Sequence, residues 1–158
     1  MANRIFRILV VFAVFVVSSN FERTSSMPNN GLVSVQSRVS ARETLDRLLS
    51  ALTTRKLSVF ARIDHAAGAA SIGLPLRPTE VVIFGNPKGG TALMQDRQLA
   101  GIDLPLKTLI WEDADGKVWF TYNDPAWIVQ RHGLGGASAP AVEAMTVLLS
   151  AIAQEATQ

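Results

Sequence analysis

The chain contains two histidines and no cysteine, which limits the chemistry it can carry out. A thiolate metal site, a cysteine nucleophile and a three-histidine metal site within one chain are therefore excluded. His65 follows the carboxylate of Asp64, and a histidine oriented by a carboxylate can act as a general base or a metal ligand. Adjacent side chains of an extended strand point to opposite faces, however, so the partner would have to be Glu80, Glu112 or Tyr122. A hydrogen-bonded histidine at the end of a strand explains the same pattern.

The second histidine, His132, is predicted in the last turn of a helix, where a cation interacts favourably with the helix dipole. No local ligand spacing links it to His65. The G-x-S-x-G pattern of a serine nucleophile does not occur either. We therefore predict no catalytic residue, no metal and no cofactor.

A glycine-rich connection over residues 85–90 follows a predicted strand. Backbone N–H groups at such a junction can hold an anion, and Asn86 would be the contacting side chain. The spacing matches neither the P-loop nor G-x-G-x-x-G. A tight turn that needs small residues explains the segment equally.

Charged residues also lie within or beside apolar strands. Lys107 is predicted opposite Asp124 in a cross-strand ion pair, and a lysine that lines a pocket is the alternative. A ligand or enzyme site, if the domain has one, would bring together the polar residues His65, Arg77, Asn86, Lys107, Glu112 and Tyr122.

The length of 158 residues predicts one domain, and 48% apolar with 18% charged residues is the composition of a chain that folds. Fifteen Lys and Arg face thirteen Asp and Glu, but Arg4 and Arg7 account for the excess. The remainder is neutral, and its basic residues are scattered. Because nucleic-acid binders carry a basic patch, we do not expect nucleic acid as a partner.

The N-terminus has the features of a secretory signal. Arg4 and Arg7 precede an unbroken apolar run over residues 8–17, which is too short to span a membrane, and small residues follow. We predict a signal peptide over residues 1–19 and a periplasmic or secreted protein. The alternatives are an uncleaved anchor over residues 5–19, which would be the domain's contact with a membrane, and translation from Met27.

Hydrophobic periodicity divides the rest of the chain into a linker over residues 20–31 and one domain over residues 32–156. The pattern predicts an α+β fold, a mostly antiparallel sheet of about five strands with helices packed on one face. The predicted strands cover residues 32–38, 57–63, 80–84, 104–112 and 117–122. The predicted helices cover residues 41–55, 91–97, 125–132 and the C-terminal segment after residue 138.

The last two strands are predicted to form a hairpin around Asp115-Gly116, a favoured two-residue turn. This register places Trp111 opposite Phe120 and predicts a core face of Leu109, Trp111, Val118, Phe120 and Tyr122. The other face then carries Ile110, Glu112, Trp119 and Thr121. Since helices would cover one face only, Ile110 and Trp119 are predicted at an interface with a second copy or a ligand.

Five motifs resemble one family. They are Arg77-Pro78, Phe84-Gly85-Asn86-Pro87, Leu104-Pro105-Leu106-Lys107, Trp111-Glu112-Asp113 and Tyr122-Asn123-Asp124-Pro125. The sequence over about residues 32–134 is similar to the bacterial and archaeal family catalogued as domain of unknown function 302. That resemblance implies a small α+β fold, with some members dimeric and no established reaction.

We therefore expect an exported, non-catalytic module that forms a homodimer or binds a small molecule. The alternative is an enzyme, or a protein that binds a cofactor or metal, with a pocket around the polar residues His65, Asn86, Lys107, Glu112 and Tyr122.

Overall fold

The computed structural model describes residues 30–158. The predicted signal peptide or anchor, Met27 and all but the end of the predicted linker lie outside these residues.

Five antiparallel strands form one sheet, in the order β1-β5-β4-β3-β2. The strands are β1 (Leu32–Ser37), β2 (Ser58–Asp64), β3 (Thr79–Gly85), β4 (Leu106–Glu112) and β5 (Val118–Asn123). The helices are α1 (Ala41–Thr54), α2 (His65–Ser71), α3 (Pro87–Asp96), α4 (Pro125–His132) and α5 (Ala139–Thr157), with 3₁₀ helices over Gln98–Asp103 and Gly136–Ser138. The predicted α+β class, with helices on one face of an antiparallel sheet, is confirmed.

Helix starts follow the capping residues of the sequence. Ser40 accepts a hydrogen bond from the backbone N–H of Glu43 at 3.2 Å, and Asp124 accepts one from Ala126 at 2.9 Å. Asn86 caps α3, and Pro87 occupies its first turn. The helix predicted over residues 91–97 therefore begins four residues earlier, because an Asn cap followed by proline favours a helix start.

The core lies between the sheet and helices α1 and α5. Alternate strand residues point toward the helices, and the helices contribute leucine and isoleucine stripes. The fully buried side chains include Val82, Phe84, Phe120, Leu48, Leu52, Leu149 and Ile152. Burial of large apolar side chains contributes roughly 1.5–3 kcal/mol each, so this layer dominates the stability of the fold.

The β4–β5 hairpin differs from the prediction by one residue. Asp113 donates its backbone N–H to the Lys117 carbonyl at 2.9 Å, so the loop has three residues, with Gly116 in the left-handed region at φ 75°. A three-residue loop with glycine in that position is a common hairpin geometry. The actual partners are Ile110 with Phe120 and Trp111 with Trp119.

This one-residue shift moves the side chains of β4 to the face opposite the predicted one. The β5 residues Val118, Phe120 and Tyr122 lie in the core as predicted. Ile110 is 2% exposed and belongs to the core, so its predicted place at an interface is wrong. Trp111 and Leu109 share the outer face with Trp119, so their predicted place in the core is also wrong. The predicted pairing of Lys107 with Asp124 fails for the same reason. Lys107 instead donates to the Asp103 carbonyl at 3.3 Å.

One described segment, Gly136–Thr157, is long and apolar enough to cross a membrane by length and composition. It contains α5, which packs against α1 and β1 and buries Leu149 and Ile152 completely. One face of α5 thus belongs to the core, and 28% of its apolar window is buried.

Candidate functional site

The outward face of the sheet is the first candidate surface. We define the open sheet face by its central residues Val81, Ile83, Leu109, Trp111, Trp119 and Thr121. All but Thr121 are half-buried, because they cover one another and the helices lie on the other side of the sheet. Within residues 30–158, Lys107 is the one charged side chain at a strand position on this face. A solvated antiparallel sheet face normally carries polar residues, so this composition is unusual.

Two stacked indoles lie at the centre of the open sheet face. The rings of Trp111 and Trp119 have centroids 6.3 Å apart and an interplanar angle of 24°. Trp111 donates its Nε1–H to Thr121 Oγ1 at 2.9 Å, and Trp119 donates to Asp113 Oδ2 at 2.8 Å. The hydrogen bond from Trp119 is the main cause that lowers the pKa of the Asp113 carboxyl. Since both polar edges are satisfied within the chain, the rings offer apolar surface to a partner.

An apolar cavity of about 380 Å³ is the second candidate site. It lies where β3 passes into α3, and the 3₁₀ helix and α5 complete its walls. The large side chains that line it are Leu57, Phe60, Met94, Leu104, Met145 and Leu148. Four glycines, Gly85, Gly89, Gly90 and Gly101, form the rest of the wall together with prolines, Leu106, Asn86 and Thr91.

Asn86 is the one predicted ligand residue that lines this cavity. Its Oδ1 accepts the backbone N–H of Lys88 at 2.9 Å, and its carbonyl accepts the N–H of Gly89 at 3.2 Å. The first turn of α3 therefore satisfies its own donors, and the glycines belong to a helix rather than to an anion-binding loop.

The other predicted polar residues lie elsewhere. Arg77 donates to the backbone carbonyl of Glu112 at 3.1 Å, at the end of the sheet opposite to Asn86. Those ends are about 20 Å apart at roughly 3.3 Å per strand residue. His65 is exposed at the start of α2.

Tyr122 and Lys107 complete this set. Tyr122 is 8% exposed, packs edge-on against Phe120, and has its pKa raised by burial. Lys107 projects from the open sheet face at its strand position. In the described part of the chain, the six residues do not share a cavity, and no group of three His, Asp or Glu is placed to hold a metal.

One polar cluster has no counterpart in the sequence analysis. Asp103 Oδ2 lies 2.6 Å from His132 Nε2, and its Oδ1 lies 3.3 Å from Arg131 Nη1. The cluster joins the end of α4 to the residue that precedes Leu104 of the cavity wall. No sequence pattern could reveal it, because Asp103 and His132 are 29 positions apart.

Comparison with known proteins agrees with this architecture. Residues 33–153 match the family described as Domain of unknown function DUF302. The chain belongs to this family. The resemblance predicted from the five motifs is thus confirmed. A crystal structure of an uncharacterized conserved DUF302 protein from Bacillus stearothermophilus has the same fold, with a TM-score of 0.71 and 18% identity over 82% of this chain and 99% of that one.

Curated relatives of this DUF302 chain carry a different description. "Fluoride-specific ion channel FluC 1" of Brucella suis biovar 1 (strain 1330) is 52% identical over 121 residues, which is 77% of this chain and 48% of that protein. "Fluoride-specific ion channel FluC 1" of Brucella abortus biovar 1 (strain 9-941) is also 52% identical over 121 residues, which is 45% of its length. The chain therefore spans about half the length of the curated relatives it matches.

Proposed function

We propose that this DUF302 domain is a non-catalytic interaction module that forms a homodimer through the open sheet face. The observation that supports this proposal most directly is the low charge of that face, with Lys107 alone at a described strand position. Interface cores are poor in charged residues and rich in aromatic ones.

A second copy is the partner that suits this surface. In a two-fold dimer the same patch meets itself, so any charge on it would face a like charge near the axis. The centre of the open sheet face consists of Trp111, Trp119, the hydroxyl residue Thr121 and aliphatic side chains, all of them uncharged, so no such repulsion arises. Flat sheet faces also pack on each other at about 10 Å with interdigitated side chains.

Sedimentation velocity of the purified full chain tests the dimer. We expect the wild type to sediment as a dimer and Trp119→Lys to sediment as a monomer, since the substitution removes the apolar indole and adds an ammonium group that would lose its hydration in the interface. Val147→Lys is the matched control, because Val147 is an exposed apolar residue of α5. Leu109→Lys provides a second disruptive variant if Trp119→Lys does not fold. A monomeric wild type would contradict the proposal. A dimer in both Trp119→Lys and Leu109→Lys would contradict it too.

An enzyme or cofactor site built on the six polar residues has less support. Its residues would have to converge, and Arg77 and Glu112 lie at the opposite end of the sheet from Asn86. We therefore do not propose a reaction.

Association with a membrane channel is the second candidate function. Relatives named as fluoride-specific ion channels match 77% of this chain over about half of their own length, and residues 33–153 of this chain form the family domain. In this chain the one described helix with the length to span a membrane packs one face against the core of the domain. We infer that the pore of those relatives lies in their other half, and we propose that this chain acts beside such a channel.

Fluoride tolerance tests the channel association. We expect deletion of the gene to reduce growth in fluoride but not in equimolar chloride, and expression of the full chain to restore it. Equal growth of deletion and parent strains across a fluoride series would contradict this candidate and leave the dimer proposal unaffected.

We also propose that the protein is exported. Arg4, Arg7 and the apolar run over residues 8–17 support this proposal. Cell fractionation with N-terminal sequencing tests it. Recovery outside the cytoplasm with a new N-terminus near residue 20 is expected for a cleaved signal, and recovery in the membrane fraction with an intact N-terminus indicates an anchor. An intact chain in the cytoplasm would contradict export.

A further inference from the structure

We infer that the cavity between α3 and α5 is a binding site for a neutral, apolar small molecule. The cavity is separate from the open sheet face, and binding there does not depend on dimer formation.

The size of the cavity suits a small molecule. Its volume is about 380 Å³, within the range of roughly 300–1,000 Å³ that small-molecule sites occupy. An apolar cavity of about 150 Å³ accommodates benzene. The space therefore suits a molecule about twice as large as benzene, such as a two-ring aromatic compound or a medium-length hydrocarbon chain.

The walls determine the polarity of the ligand. Leu57, Phe60, Leu104 and Leu148 are apolar, and the thioethers of Met94 and Met145 adapt to irregular shapes. No charged side chain is among the described residues that line the cavity.

The polar atoms of the wall offer little to a charged ligand. Its polar side chains, Asn86 and Thr91, are both neutral, and the Asn86 Oδ1 already caps α3. A charged ligand would lose its hydration without compensation, so the cavity selects a neutral one.

Two glycines inside α3 keep this space open. Gly89 and Gly90 have ordinary helical backbone angles, so the conformation does not require glycine. A Cβ atom at Gly89 would lie 3.3 Å from Met145 Cε, and one at Gly90 would lie 3.6 Å from Leu104 Cδ1. Glycine weakens a helix interior, so these positions sacrifice helix stability where side chains would fill the cavity.

A small molecule suits the cavity better than a protein segment does. A helix is about 10 Å wide with its side chains and rises about 5.4 Å per turn, so even one turn would exceed the cavity volume of about 380 Å³. Phe60 and Met94 are 54% and 36% exposed, so the mouth of the cavity is bordered by apolar side chains.

Titration of the full chain with the neutral fluorescent probe N-phenyl-1-naphthylamine tests the inference. We expect a saturable rise in fluorescence with one probe per chain. Gly90→Leu should weaken binding at least tenfold, because the new side chain occupies the cavity.

The matched control is Gly68→Ala in α2, where a Cβ would meet nothing within 4 Å. Its probe affinity should equal that of the wild type. If Gly90→Leu does not fold, Gly90→Ala replaces it with a smaller expected loss, about threefold.

Three results would overturn the assignment. They are the absence of saturable binding to the wild type, wild-type affinity in a folded Gly90→Leu variant, and loss of probe binding in a folded Trp119→Lys variant. The last result would place the probe on the open sheet face or in a space formed by the dimer.

Discussion

His132 Nε2 lies 2.6 Å from Asp103 Oδ2, and the two side chains are only 9% and 11% exposed. This contact fastens the end of α4 to the 3₁₀ helix that leads into β4. A hydrogen bond between buried groups of which one is charged contributes about 1.5–3 kcal/mol, and an orphaned partner adds a desolvation cost. The pair is therefore a structural clamp behind the cavity wall.

Replacement of His132 should destabilise the domain. We expect His132→Ala to lower the free energy of unfolding by about 2 kcal/mol, because Asp103 loses its shortest hydrogen bond. Urea denaturation followed by circular dichroism measures the change. Gln130→Ala, an exposed substitution in the same helix, should change the free energy by less than about 0.5 kcal/mol. Equal effects of both variants would contradict the clamp.

Gly116 should tolerate alanine poorly. Its φ of 75° lies in the left-handed region, where a Cβ atom costs roughly 1–2 kcal/mol. We expect Gly116→Ala to lower the free energy of unfolding by about 1 kcal/mol. Gly136→Ala is the control, since a Cβ there meets nothing within 4 Å and its φ is not in that region. Thermal unfolding that ranks the two variants alike would argue against the three-residue loop.

Gly90→Ala should stabilise the domain, in contrast to Gly116→Ala. Alanine favours a helix interior over glycine by roughly 0.5–1 kcal/mol, and the new methyl group lies at contact distance from Leu104. We expect a higher melting temperature together with weaker probe binding. Gly68→Ala should also raise the melting temperature but leave binding unchanged, which separates helix stability from cavity volume.

Asp96 should make the domain sensitive to acid. The backbone N–H of Gly135 donates to the Asp96 carboxylate at 2.6 Å, and this bond is the main cause that lowers the pKa of Asp96. The hydroxyl of Ser138 also donates to this carboxylate and lowers the pKa further. A lowered folded pKa stabilises the protein above the unfolded value of about 3.9, and that contribution is lost as the pH falls through the folded value.

Urea denaturation between pH 6 and pH 2.5 measures this dependence. The free energy of unfolding should fall less steeply below about pH 4 in Asp96→Asn than in the wild type. Asp115→Asn is the matched control, because no described hydrogen bond ends on the Asp115 carboxylate. A wild-type slope in Asp96→Asn would show that other carboxylates govern the acid response.

Local signals in the sequence were sufficient for most of the fold. Ser40 with Glu43, and Asp124 with Pro125, mark helix starts that the structure reproduces. Asn86-Pro87 carries the same cap-and-proline signature, and it marks the true start of α3. The glycines that follow obscured this start, because glycine at these positions serves the cavity rather than a turn.

The sites depend on relationships that a single sequence does not encode. The residue at each hairpin position can be read from the sequence. The sheet face on which its side chain lies depends on whether the loop holds two or three residues. Both loops use Gly116 in a left-handed conformation, so composition could not decide between them. The cavity needs α3, α5 and the 3₁₀ helix together, and the Asp103–His132 contact joins distant segments.

The length of the β4–β5 loop has a consequence for related sequences. Removal of one residue, such as Ala114, would shift the pairing of the two strands by one position. The side chains of one strand would then exchange sheet faces, which would bring the indole of Trp119 toward the helices. An insertion or deletion there can be neutral only if every second position of a strand changes character at the same time. Loop length and strand composition are thus expected to vary as one unit, and a chain in which only one of them has changed should fail to form this sheet.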